Sequence, residues 1–113
     1  MFGRKLLILW WRFYKATEDW PKEERYGLIS QVRRAAVSVP ANISEGAARF
    51  SNKEFAHFLS NAQGSASEAE TELLIGYRLG YLTNEKLQAL SVRYDALGKM
   101  LGGLTRKVRA KIN

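Results

Sequence analysis

Pro40 sits in the middle of QVRRAAVSVPANISEGAARFS, residues 31 to 51, yet the apolar pattern on either side of it keeps its phase. Ile29, Val32, Ala36, Val39, Ile43, Gly46 and Phe50 recur at alternating steps of three and four, which holds one stripe on one side of a helix. A strand or a turn after Val39 would reset that phase. The spacing therefore predicts one helix from about Lys22 to Ala48, running through Pro40 and kinked there. A proline inside a helix costs about 3 kcal/mol or more, through the lost hydrogen bond to Ala36 and the clash of its ring with that carbonyl. Tertiary packing has to offset a cost of that size.

The segments around it carry the partners for such packing. Ser51-Asn52-Lys53-Glu54 has the form of a capping box, in which Ser51 and Glu54 each satisfy a free N–H of a helix's first turn. Behind it, Phe55, Leu59, Ala62, Ala66, Ala69, Leu73, Gly76 and Gly80 keep the three-four rhythm. The small residues in that stripe imply close approach to a neighbouring helix, and Gly80 suits a C-terminal cap. Thr83 can cap a further helix, with Glu85 favourable in its first turn and Leu90, Tyr94, Leu97, Leu101, Leu104 and Val108 as its stripe. An N-terminal helix over about Gly3 to Thr17 presents two adjacent stripes, Leu6-Trp10-Phe13 and Leu7-Trp11-Tyr14. Trp20-Pro21 breaks the chain before the second helix, with Pro21 suited to a first turn. Four helices with short connections predict an all-α fold, an antiparallel up-down-up-down four-helix bundle.

With 113 residues, 46% of them hydrophobic and 26% charged, the chain suits one domain, residues 1–113, with one modest core. No stretch approaches the roughly 20 apolar residues that span a bilayer. The run Leu6 to Trp11 follows Arg4 and Lys5 like a signal peptide, but it is too short and aromatic and has no small-residue cleavage site. A cytoplasmic protein is expected, and the absence of cysteine agrees with that.

The inventory for catalysis is poor. His57, the one histidine, lies off its helix stripe between Phe55 and Leu59 and is expected on the surface. Glu68 and Glu72 share a helix face, but no Glu-x-x-His pair accompanies them as a di-iron bundle would require. Gly98 and Gly102-Gly103 lack the lysine and hydroxyl residue of a phosphate loop, and no serine has a recognisable base. No catalytic residue, metal or cofactor is expected.

Charge is more informative. The net charge is +7 and the pI near 9.9, which draws a chain to polyanions. Residues 82–113 hold seven basic groups against two acids, whereas residues 51–81 hold two against four. Lys86, Arg93 and Lys107 fall at multiples of seven, roughly along one face, and Arg106, Arg109 and Lys111 extend that surface. Cations near a helix C-terminus answer its dipole, by about 0.3–1 kcal/mol each, which accounts for the last turn. For the remainder two readings stand: a solvated face, or a phosphate-binding track made by Lys86, Arg93, Arg106, Lys107 and Arg109. Trp10 and Trp11 point about 100° apart on a helix and cannot share one seam. One of them is expected at a subunit interface in preference to a base-stacking platform, with Arg12 the one arginine close by. Arg33, Arg34, Asn42 and Glu45 flank the bend, where an internal polar network is favoured over a ligand notch, and Ser38 or Asn42 can serve groups freed by Pro40.

Together, WPKEERYGLISQVRRAAVSVPANISEGAARFSNKEF and FLSNAQGSASEAETELLIGYRLGYL resemble the bacterial proteins encoded by open reading frames within intervening sequences of 23S ribosomal RNA genes. The resemblance covers about Tyr14 to Leu82, and PKEERYGL and RRAAVSVPANISEG are its most specific elements. It implies a four-helix bundle assembled as a homo-oligomer, a pentamer, with no catalytic residue to carry over and an association with RNA. The expectation is a non-enzymatic oligomer that binds structured RNA or DNA through its basic surface. The alternative is a protein-interaction scaffold, an accessory protein of a larger complex that does not touch nucleic acid.

Overall fold

The computed structural model describes residues 2–112, with nothing said of the side chains of Phe2, Gly3 and Lys5. Four helices, α1 (Phe2–Ala16), α2 (Leu28–Ala47), α3 (Asn52–Arg78) and α4 (Asn84–Arg109), pack as an elongated bundle of 49 × 25 × 22 Å. The described residues include no strand. Each helix packs on its neighbour in sequence, α4 closes more loosely against α1, and the backbones of the diagonal partners α1 and α3 do not approach closely.

α2 runs on past Pro40 without interruption. Ile29, Val32, Ala36, Val39, Ile43 and Gly46 are all buried, as the unbroken phase requires. The cost of the proline is met from α1: Leu6, Leu9, Trp10 and Phe13 close over Ala36, Val39 and Pro40 and leave a crevice of only about 10 Å³. Asn42 Nδ2 donates to the Ser38 carbonyl (2.8 Å) and Ser38 Oγ to that of Arg34 (2.9 Å). Both bonds stay within their own turn, so neither side chain serves the carbonyl of Ala36, contrary to expectation.

One boundary differs from that expected. α2 begins at Leu28 instead of near Lys22, because Lys22–Glu24 form a separate 3-10 turn and Gly27 takes a non-helical conformation before the helix. Glu24 replaces the missing helical turn: one carboxylate oxygen accepts from the Leu28 N–H (3.4 Å), the other from Tyr81 Oη (2.9 Å). At the other end α2 stops at Ala47 with Ala48 as its cap, as expected, but Phe50, counted in the apolar stripe, lies beyond the helix and stands fully exposed.

The caps of α3 and α4 follow the residues expected to make them. Ser51 Oγ accepts from the Glu54 N–H (3.1 Å) and donates to its carboxylate (3.1 Å), so the return half of the box uses the hydroxyl. Thr83 Oγ1 accepts from the Lys86 N–H (3.2 Å). Gly80, at φ 84°, ends α3: its N–H reaches the Tyr77 carbonyl (3.0 Å) and that of Tyr81 reaches Gly76 (2.9 Å), a Schellman motif.

α1 is held by its C-terminus. Arg33 of α2 donates from Nε to Thr17 Oγ1 (3.0 Å) and stacks its guanidinium 3.7 Å from the Tyr14 ring centre. Thr17, fully buried, donates in turn to the Tyr14 carbonyl (2.9 Å). A cation at the end of a helix also complements its dipole. Of the polar residues flanking Pro40, Arg33, Asn42 and Glu45 make internal contacts, Glu45 pairing with Arg49 at 2.9 Å, whereas Arg34 is exposed and takes part only through its carbonyl.

Small residues set the helix spacing. A methyl group at Gly76 would overlap the six-membered ring of Trp20, whereas one at Gly98 would meet nothing within 4 Å. Gly76→Ala should therefore destabilise the protein by about 1–3 kcal/mol through overpacking, while Gly98→Ala, mid-helix and exposed, should stabilise it by about 0.5–1 kcal/mol. Urea denaturation of the two variants checks both signs.

Candidate nucleic-acid interface

α4 carries all five cations expected to form a phosphate track. Lys86, Arg93, Arg106, Lys107 and Arg109 are exposed, and none is in an ion pair among the described residues. The helix divides them between two edges. Helical geometry puts Lys86, Arg93 and Lys107 within about 60° of one another; Lys86 and Arg93 border α1, whereas Lys107 lies farther along, beside Ile43 and Ala47 of α2 and Phe55 of α3. Arg106 lies about 200° round the axis from Lys86, its guanidinium over Gly102 near Gln63 of α3. Arg109 stands on that second edge too, about 140° from Lys86. The surface that looked continuous in one dimension is two groups of charge.

Tertiary structure adds cations to the first group. The loose seam between α1 and α4 is a groove of about 460 Å³, lined by Ile8, Trp11, Arg12, Lys15, Lys86 and Leu90 among others. A second opening of about 220 Å³, bordered by Ile8, Leu9, Arg93 and Met100, lies along the same two helices. Arg12 and Lys15 thus join Lys86 in one basic groove. Their helical spacing is visible in the sequence, but their juxtaposition with a lysine some 70 residues on depends on how α1 docks.

The tryptophans separate as their 100° offset requires. Trp10 is partly buried against the core, and Trp11 is 50% exposed. Trp11 stacks on Tyr14 (4° between planes, centroids 6.1 Å apart), with Lys15 Nζ 5.4 Å from its ring centre. Leu7 and Ile8 are exposed on the same side of α1.

α3 bears the opposite charge. Glu72 is 6% exposed and its Oε1 has no hydrogen-bond partner. Burial, and then the charge of Glu68, push its carboxyl up to about 7. Glu70 is also raised, by burial and then by Asp95. His57 is exposed. No three His, Cys, Asp or Glu side chains gather to hold a metal ion, and no helix is long and apolar enough to cross a membrane, among the described residues.

The sequence model of the 23S rRNA-intervening sequence proteins matches residues 5–103. The chain belongs to this family. No curated protein matches it. Among solved structures, a protein of unknown function from the S23 ribosomal protein family of Bacteroides thetaiotaomicron superposes with a TM-score of 0.82 at 24% identity, over 93% of this chain and 98% of that one. That likeness is one of fold.

Glu72 makes folding depend on pH. Its carboxyl is raised when folded, so between the ordinary carboxylate value and about 7 the native state holds a proton that the unfolded chain has released. That stability is complete at acid pH and is lost as pH rises through about 7. Glu72→Gln should remove this slope and leave the variant about 1–2 kcal/mol more stable than the parent at pH 8, because the amide has no charge to bury. Denaturation of both proteins from pH 5 to 8 checks it.

Proposed function

We propose that this protein is a non-enzymatic homo-oligomer, a pentamer as the family resemblance implies, that binds structured RNA or DNA through the cations of α4. The observation that carries the reading is the set of five exposed α4 cations free of ion pairs among the described residues. Exposed cations without an acid partner in their own chain are available to phosphate oxygens. Lys86, Arg93 and Lys107 act on one edge of α4 and Arg106 and Arg109 on the other. The exposed apolar face of α1, centred on Trp11, serves assembly.

A protein-interaction scaffold is the second reading, favoured by that same α1 face. Leu7, Ile8 and Trp11 stand beside Arg12 and Lys15, a combination suited to an acidic protein surface.

Titration of the purified protein with a structured RNA at two salt concentrations separates the readings. Phosphate binding predicts affinity that falls steeply with salt, with a slope set by the number of contacts. Arg93→Glu with Lys107→Glu should weaken binding about tenfold or more and flatten that slope, while the melting temperature stays close to that of the parent because both side chains are exposed. Unchanged affinity would remove both residues from the site, and no RNA or DNA affinity at low salt would leave the scaffold reading.

A further inference from the structure

We propose that copies of this chain meet head to tail, the basic apolar face of α1 on one protomer docking against the acidic apolar edge of α3 on the next. The proposal rests on the homo-oligomeric reading above and names the two surfaces that meet.

The α1 face is built as a docking surface. Leu7, Ile8 and Trp11 are 58%, 45% and 50% exposed, and the exposed cations Arg4, Arg12 and Lys15 surround them. Trp11 is fixed in place, since it lies flat on Tyr14 and Tyr14 lies under Arg33. A rigid aromatic with a polar rim is the usual anchor of a protein interface. The acid beside this face is Glu18, and Lys15 already holds it at 3.0 Å. Two α1 faces brought together would oppose like charges, which disfavours a symmetric pairing through α1.

α3 offers the complement. Ile75 and Leu79, 44% and 53% exposed, lie within about 40° of Glu68 on the helix surface. Beneath Glu68 is Glu72, whose buried Oε1 has no hydrogen-bond partner. Glu68 is exposed, and among the described residues no cation is ion-paired with it, so the edge presents a carboxylate that its own protomer leaves unanswered. An arginine or lysine from a neighbour would answer it.

The position of the two faces decides the symmetry. α1 and α3 are diagonal helices whose backbones do not approach closely, so the faces lie on different corners of the bundle. A contact between unlike patches leaves one of each unused on every pair, and it continues as a filament unless the rotation closes it into a ring, as the oligomeric reading requires.

Two variants and their mixture test this. Leu7→Glu with Trp11→Glu spoils the α1 face, and Ile75→Arg with Leu79→Arg spoils the α3 edge. Light scattering after size exclusion should show the parent as an oligomer and each variant alone as a monomer. An equimolar mixture should form a heterodimer, because one intact face of each kind remains. A monomeric parent would remove the oligomeric reading itself. A parent that assembles while either variant still assembles, or a mixture that stays monomeric, would overturn the head-to-tail contact alone. Should circular dichroism show a variant unfolded, charge exchange decides: Arg12→Glu and Glu68→Arg should each loosen assembly about tenfold or more, and the chain carrying both should recover it. Failure to recover would overturn the proposal.

Discussion

The close approach of α2 and α3 determines how the other helices can pack. At Gly46 a methyl group would come within 2.7 Å of Phe58 Cβ and 3.0 Å of the Phe55 ring. Ala35 and Ala36 on α2 and Ala62, Ala66 and Ala69 on α3 are buried. With so little side chain between their axes, these helices present a broad shared surface. Leu59, Leu101 and Val32 fill the middle of the bundle with almost no exposure. Interiors this close-packed gain many small dispersion contacts that a looser core forfeits. The continuous helix at Pro40 is part of the same arrangement, because α1 covers the proline ring with Leu6, Leu9, Trp10 and Phe13.

Most of this was legible because it follows from period and local chemistry. The unbroken stripe from Ile29 to Gly46, the Ser51 cap and the Gly80 terminator each state a backbone conformation within a few residues. What was not legible depended on distant partners. Glu24 starts α2 at Leu28 with help from Tyr81, a residue that belongs to the end of α3. Arg33 looked like part of the environment of the proline, yet it clamps α1 through Thr17 and Tyr14. The candidate site divides in the same way: the cations of α4 could be counted, but Arg12 and Lys15 reach Lys86 only across a helix seam.

Charge is segregated by helix, and folding turns that segregation into surfaces. The acids of α3 include one, Glu72, that the fold covers at an energetic cost. The cations of α4 and α1 remain in solvent, where each is stabilised by water and available to a counter-charge. A bundle with a basic side and an acidic side has a built-in direction. A basic side favours the approach of polyanions and an acidic side opposes it.

The two cation groups of α4 also define a length. Lys86 and Arg106 are separated by 20 positions of a continuous helix, which is about 30 Å, or the axial rise of about nine base pairs. Since they sit on opposite flanks of a stiff rod, a straight duplex laid parallel to α4 meets one group or the other. Engaging both requires the strand to cross the rod obliquely. Geometrically, α4 is a ruler whose two marks lie on opposite flanks, so a rod-like polyanion would have to match its span and its angle to touch both.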